Sequence, residues 1–296
     1  MSQSNEPDGR HSDGKHPDGK HSNNDVSDWW TTDIIDMAPG QIRIRGNSIE
    51  SLIGNVTFPQ MIWLMTRGDL PSPAQAQLLE CALVAAVDHG PQAPSIATAR
   101  MAVSCGLGLN GAMASAVNML DDVHGGAGEQ AVELYTEIKT ETDTENVDGE
   151  HTGIAILEQV TANTVARWKQ QRSKYLPGFG HRFHNPEDPR APRLLALVDK
   201  AKEQGVVTGR YATIARAVQA ELNKKGRAIP MNIDGATAVI YAELGFAPPL
   251  ARGLFCLSRS VGVIAHAWEQ INQGGRNKGP TPPHYRWTYT GENPIE

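Results

Sequence analysis

The sequence predicts a mainly α protein. Beyond Thr57, apolar residues recur at helical spacing in one segment after another, and a run from Ser95 to Leu120 is built largely of Ala, Gly, Ser and Met. Nowhere do a strand, a glycine-rich turn and a helix follow one another as a dinucleotide- or nucleotide-binding unit requires. At 296 residues the chain is long enough for one large domain or two modest ones around a real core. A net charge of -6 argues against a nucleic-acid partner, so an anionic ligand has to be held by a few local arginines.

Residues 1–28 contain the near-repeat PDGRHSDGKHPDGKHS, with almost nothing to bury, and predict a disordered His/Asp/Gly-rich tail. His11, His16 and His21 sit in this tail, but a flexible arm offers little fixed geometry for a metal, and no metal site is expected. The segment also lacks the apolar core of a signal peptide and the Arg-rich, acid-poor composition of a transit peptide. From Trp29 to Gly54 the text is irregular, with Asp36 to Gly40 reading as a turn and Gln41 to Arg45 alternating like a small strand.

Helices take over at Thr57-Phe58-Pro59, where proline occupies the first turn and Phe58, Ile62, Trp63 and Met65 offer an apolar face; Arg67 to Pro71 ends that helix. Ser72-Pro73 opens the next, and Leu78, Leu79, Ala82, Leu83 and Ala86 keep its spacing up to Asp88-His89-Gly90-Pro91, which places His89 at a helix C-terminus. Ser95 to Leu120 reads as a closely packed helix, suited to a core or a subunit interface. Glu137 to Glu150 is acidic and reads as an exposed loop. Helical patterns resume over 154–172, 194–204, 213–225, 235–244 and 250–270. The apolar stretch from Leu250 to Trp268 contains Arg252, Arg259 and His266, which argues against a membrane span. Cys81, Cys105 and Cys256 have neither zinc-site nor disulfide spacing, so a reducing, cytoplasmic setting is expected.

Chemistry concentrates in a few places. His124 precedes Gly125-Gly126, where a backbone can approach a ligand closely; a loop residue or a helix cap is the plainer reading of the same text. Pro177-Gly178-Phe179-Gly180-His181 repeats the device, and Asp188-Pro189-Arg190 adds a guanidinium whose planar fork matches a carboxylate. Arg259 interrupts an apolar helix, where it either pairs with a structural Asp or Glu or meets an anionic ligand. Asp234, in Asn-Ile-Asp-Gly, is either an N-cap or a general base.

Taken together, MAPGQIRIRG, IESLIG, TRGDLPSPAQ, DHGPQAPS, HGGAGE, PGFGHRFH with DPRAPR, NIDGA and LSRSVGVIAHAWEQ resemble, in order and spacing, the citrate synthase superfamily, and within it the compact citryl-CoA lyase-like branch. The resemblance runs from about Trp29 to Gly291. It implies a large helical domain of residues 29–126 and 245–296 with an inserted smaller helical domain, 127–244, and a homodimer or higher homo-oligomer. It further implies that His124 stabilises a thioester enol, that Asp234 moves the methyl proton, and that His181 polarises the ketone of oxaloacetate. His89, Arg190 and Arg259 would bind the dicarboxylate, and Pro177, Gly178, Phe179 and Gly180 the coenzyme A adenine.

The expected activity is cleavage of citryl-CoA to acetyl-CoA and oxaloacetate, with a coenzyme A thioester as substrate and no separate cofactor. The alternatives are a citrate or 2-methylcitrate synthase, which would also hydrolyse the thioester, and a noncatalytic sensor of CoA or citrate. The sequence departs from the synthase pattern in lacking the long helical N-terminal portion. In Gly275 to Pro280, Arg276 or Lys278 would have to replace the arginine that a synthase subunit lends its neighbour.

Overall fold

The computed structural model describes residues 29–145, 153–184, 186–224, 226 and 228–292. The tail expected at 1–28 therefore lies outside the described residues. The described chain is mostly helical, in two compact units. Of the described residues, the first comprises those up to Thr57 with Met61–Asp69, and the second Phe58–Gln60 and those from Leu70 onward. This division does not bear on the boundaries expected near Gly126 and Gly245.

In the first unit, β1 (Ile35–Ala38), β2 (Gln41–Ile44) and β3 (Asn47–Ser48) form an antiparallel sheet in sequence order. The strand expected at Gln41 is present, but Asp36 to Ala38, read as turn, form its partner. Ala38 pairs with Gln41, which confines the turn to Pro39-Gly40, with Gly40 at φ +75°. Every residue of β1 is exposed, so no buried face marks it in the sequence. Ser48 caps the short α1 (Ile49–Leu52). In α2 (Phe58–Arg67) the buried face is Ile62, Trp63 and Leu64, whereas Phe58 and Met65, assigned to that face by spacing, are exposed.

The second unit holds nine further helices among the described residues: α3 (Pro73–Ala85), α4 (Pro94–Ser104), α5 (Leu109–Val117), α6 (Ala127–Glu145), α7 (Gly153–Gln171), α8 (Arg190–Glu203), α9 (Arg210–Asn223), α10 (Ile233–Glu243) and α11 (Pro248–Gln273). Ser72 starts α3 with a full capping box to Gln75. That helix stops at Ala85, so His89 lies in the turn beyond it rather than in its last turn. The stretch from Ser95 to Leu120 is two helices rather than one. Gly106, at φ +99°, takes a left-handed conformation that no helix continues through, and Gly108 caps α5.

The acidic segment from Glu137 is helical to Glu145, with 146–150 outside the described residues. Its carboxylates are not simply solvated. Arg167 on α7 pairs with both Glu137 and Glu141, Trp168 Nε1 donates to Glu137 Oε2 at 2.6 Å, and Thr164 Oγ1 donates to Glu141 Oε2 at 3.0 Å. α10 is the central helix, with every residue from Gly235 to Ala242 buried. It packs against α6, α8, α9 and α3. α4, α5 and α11 share a core in which Ala99, Ala112, Ala116 and Ala267 pack with Ile96 and Val263, which explains the Ala-rich text. On its other face α11 exposes Leu257, Val261, Ile264, Trp268 and Ile271, spaced alternately four and three apart. None of the described helices is long and apolar enough to cross a membrane.

Candidate active site

Two loops and the start of α10 bring the candidate residues together. Gly178 O accepts from Asn232 N at 3.0 Å, Gly180 N donates to Pro230 O at 2.7 Å, and Asn232 Nδ2 donates to Gly180 O at 2.8 Å. The loop before His181 is thereby bound to the segment that ends at Asp234. Only glycine permits this approach, because a Cβ on Gly178 would lie 2.6 Å from Gly235 Cα, and one on Gly235 would lie 2.4 Å from Gly178 O. The N-cap of α10 is Asn232, whose Oδ1 accepts from Asp234 N and Gly235 N. The capping role that the sequence allowed for Asp234 thus belongs to its neighbour, and the Asp234 carboxylate is left over for other work.

The two histidines following or preceding glycines are held in defined tautomers. His181 Nδ1 accepts from the backbone N–H of Phe183 at 3.0 Å and of His184 at 2.9 Å, which leaves Nε2 to carry the proton. His124 Nε2 accepts from Ser95 N at 3.2 Å and lies 3.0 Å from Ser95 Oγ, which leaves its proton on Nδ1. Burial lowers the pKa of each below the usual histidine value, with the His184 ring adding to the effect at His181 and Arg259 at His124. Both are neutral near pH 7, each with one N–H directed away from its anchor.

His89 stands edge-on to His181, ring centroids 5.3 Å apart, and is likewise held neutral, chiefly by burial and then by Arg259 and Arg190. Arg190 spends one edge of its fork on the fully buried Asp188, with Nε to Oδ1 at 3.0 Å and NH2 to Oδ2 at 2.9 Å. Asp188 also accepts from Ile233 N at 3.1 Å and so joins α8 to α10. Arg259 is buried, 3% exposed, donates Nε to Ala86 O at 3.0 Å and lies over the Phe255 ring. Among the described residues no carboxylate reaches ion-pair distance of it. The structural Asp or Glu partner weighed for this arginine is therefore not found among those residues, and burial, with the Arg190 charge adding to it, depresses its basicity.

Burial pushes the Asp234 carboxyl above the ordinary aspartate range, against the opposing pull of Arg259 and Arg190. No donor to its oxygens is present among the described residues. The Arg259 charge acts on His89, His124 and Asp234 alike. A cleft of about 190 Å³ opens beside His181, lined by Leu176, Phe179, Gly180, His184 and Ile229 and by Lys169 and Lys174.

Several participants carry no local signal. Ser95, which fixes the His124 tautomer, is separated from it by a helix pair. His184 stacks on His181 at 4.4 Å, and His266 Nε2 approaches Asp88 Oδ1 to 3.2 Å beside His89. Asp188 could have been found from its place in Asp-Pro-Arg. His181, His184 and Asp188 place possible metal-ligating atoms within 4.8 Å of one another. Both Asp188 oxygens are already committed to Arg190 and Ile233, which disfavours a cation there.

Residues 71–281 match the family model "Citrate synthase, C-terminal domain". Among curated relatives, the chain is 31% identical over 215 residues to citrate/2-methylcitrate synthase of Bacillus subtilis, covering 71% of this chain and 51% of that one. Citrate synthase 2 of the same organism is 29% identical over 207 residues, covering 69% and 50%. The chain spans about half the length of these relatives. Among solved structures, citryl-CoA lyase from Hydrogenobacter thermophilus superposes with a TM-score of 0.74 at 30% identity, covering 90% of this chain and 96% of that one. Citrate synthase from Thermoplasma acidophilum shares the fold, with a TM-score of 0.60 at 22% identity, over 81% of this chain and 59% of that one.

Proposed function

The chain belongs to the citrate synthase family, and on that footing we propose that it is a citryl-CoA lyase-type enzyme, splitting citryl-CoA into acetyl-CoA and oxaloacetate. The observation that carries this reading is the protonation pattern. Two neutral imidazoles, each with one ring nitrogen bound to backbone N–H, stand in a site with a carboxyl group whose pKa is raised.

An α-proton of a thioester is only weakly acidic, so a carboxylate removes it only where the developing enolate is stabilised at the same moment. His124 Nδ1–H supplies that donor. His181 Nε2–H faces the ketone oxygen of oxaloacetate in one direction and the citryl hydroxyl oxygen in the other. Written as cleavage, the hydroxyl proton leaves to solvent water while His181 Nε2–H holds the oxygen, the carbon-carbon bond breaks, and its electron pair becomes the acetyl-CoA enolate, held by the His124 Nδ1–H, the released proton later restoring the Asp234 carboxyl. Protonated Asp234 then returns a proton to carbon. A carboxyl with a raised pKa suits this step, because it holds a proton to give. These groups are catalytic; His89, Arg190 and Arg259 bind the substrate carboxylates. The reaction balances without a metal or redox cofactor.

Coenzyme A is placed with its adenine at Pro177, Gly178, Phe179 and Gly180, next to the cleft that Lys169 and Lys174 help to line. Residues 29–126 with 245–296 supply His89, His124 and Arg259 from a larger domain, and 127–244 supply His181, Arg190 and Asp234 from a smaller one. Closure of the second on the first would exclude water from the enol. The exposed apolar stripe of α11 fits the expected homodimer. At the C-terminal side, Lys278 Nζ already contacts Gln270 Oε1 at 3.4 Å, so Arg276 is the better candidate for the cation that one subunit lends to the substrate carboxylate in its neighbour's site.

The 30% identity and TM-score of 0.74 to citryl-CoA lyase favour cleavage, while the curated synthase relatives support the second reading, condensation followed by thioester hydrolysis. Asp234→Asn tests what the two share. Turnover should fall by about 10²- to 10⁴-fold, the usual worth of a positioned acid-base group, with ligand binding retained. Undiminished turnover in this variant would overturn the mechanism.

A further inference from the structure

His124 is useful only if its loop is stationary, and the loop has little regular structure of its own. Asp121 N donates to His124 O at 2.9 Å, which closes the turn, and Asp122 N donates to Asp121 Oδ1 at 2.9 Å. Beneath it, Leu120 packs on Phe255 of α11, and a Cβ on Gly125 would come within 3.1 Å of both side chains.

One turn before Phe255, on the same side of α11, Arg252 meets three carboxylates at once. NH1 pairs with Asp121 Oδ1, NH2 with Asp122 Oδ1 at 2.5 Å, and Nε lies against Glu129 Oε2. Asp121 and Asp122 precede His124, and Glu129 follows it in the first turn of α6. A single guanidinium therefore spans both sides of the histidine and ties them to the helix that also carries Arg259. Asp121 is the direct link, since its carboxylate takes Arg252 and its N–H takes the His124 carbonyl. Asp121 and Asp122 are mostly exposed, 79% and 74%, so screened ion pairs there contribute little to global stability. The cluster is better accounted for by placement of the loop than by stability.

We infer that Arg252 is a positioning residue for His124, acting through Asp121, Asp122 and Glu129 to hold the imidazole at the thioester carbonyl. This rests on the reading of His124 as the enol-stabilising donor, which comes from the proposed function. A guanidinium suits this place because NH1 and NH2 point in one plane at Asp121 and Asp122 while its flank lies against Glu129, a spread that the single nitrogen of an ammonium cannot reproduce.

The test compares the full-length protein with Arg252→Met and Arg252→Lys. Two quantities are measured: exchange of the acetyl-CoA methyl protons with solvent deuterium in the presence of oxaloacetate, and the ¹H–¹⁵N spectrum of the histidine rings, with His124→Gln used to assign the His124 signals. Arg252→Met should slow exchange at least tenfold with the KM for oxaloacetate within twofold of wild type, shift the His124 ring signals, and leave those of His181 in place. Arg252→Lys should fall between the two. Exchange within twofold of wild type, or a parallel loss of kcat and rise in KM with a collapsed melting temperature, would overturn the inference. If the wild type exchanges no methyl protons, the proposed function fails. Unchanged His124 signals in Arg252→Met would overturn the inference on their own. Should Arg252→Met not fold, Asp122→Asn, which removes one arm of the clamp, must still shift the His124 ring signals, and failure to do so is equally fatal.

Discussion

Gly253 and Gly262 lie in the same helix, α11, nine residues apart, and replacing each by alanine should move stability in opposite directions. In a helix interior, glycine to alanine is worth about 0.8 to 1 kcal/mol in favour of the folded state, because alanine loses less backbone freedom. At Gly253 nothing lies within 4 Å of the added Cβ, so the whole of that gain is expected. At Gly262 the Cβ would lie 2.3 Å from Val87 O and 3.0 Å from Asp88 Oδ1. Val87 O cannot swing aside cheaply, since Gly262 N donates to it at 3.1 Å. Overpacking of this kind costs about 1 to 3 kcal/mol or more, so Gly262→Ala should be destabilised by up to about 2 kcal/mol net. The displaced segment carries His89, so if the proposed function holds oxaloacetate affinity should fall as well. Urea unfolding followed by circular dichroism, analysed by linear extrapolation, reads both values from the shift in midpoint at constant slope. Equal stabilisation by the two substitutions would refute the close approach of α11 to the Val87–His89 turn.

Three further outcomes follow from the electrostatics of the site. Asp234→Asn should raise the melting temperature of the ligand-free protein at pH 7 to 8. The folded carboxyl has a raised pKa, so its ionisation is disfavoured relative to the unfolded chain, and stability is lost as pH rises above about 3.9 through the folded value; an unchanged melting temperature would contradict that burial. His89, His124 and His181 act in the opposite sense. Their folded pKa values are lowered, so the stability they allow is intact above about 6.5 and is lost as pH falls below it, because the unfolded chain binds protons first; chemical denaturation at pH 7.5 and 5.5 should show the difference, and a flat profile would contradict neutral, desolvated rings. Ser95→Ala should reduce kcat less than about tenfold, since it removes one hydroxyl contact of about 0.5 to 1.5 kcal/mol while the Ser95 N–H still fixes the His124 tautomer; a loss on the scale of Asp234→Asn would show that the hydroxyl, not the backbone, holds the ring.

Much of this was legible locally. Pro59 in the first turn of α2, Ser72-Pro73 at the start of α3 and the periodic apolar residues located helices because each acts within a turn or two of the chain. The glycines before His181 and after His124 were read as letting a backbone approach a ligand; the close approaches observed are to the protein itself, Gly178 to Gly235 and Gly125 to Leu120 and Phe255. What the sequence hid depends on distant partners. The acidic stretch from Glu137 reads as solvated until Arg167 and Trp168 of α7 are set against it. β1 has no buried face to give it a pattern, and the break at Gly106 differs from a tolerated helical glycine only in its positive φ. Ser95, Arg252 and His266 act on residues 29, 131 and 178 positions away respectively, counting Arg252 to Asp121 and His266 to Asp88, so no spacing rule could have paired them.

The most direct test gives the purified protein synthetic citryl-CoA and separates the products chromatographically. Acetyl-CoA and oxaloacetate in equal amounts, formed by the wild type and not by Asp234→Asn, are the predicted result. Citrate with free coenzyme A would contradict cleavage and identify a hydrolysing synthase, and unchanged citryl-CoA would contradict both.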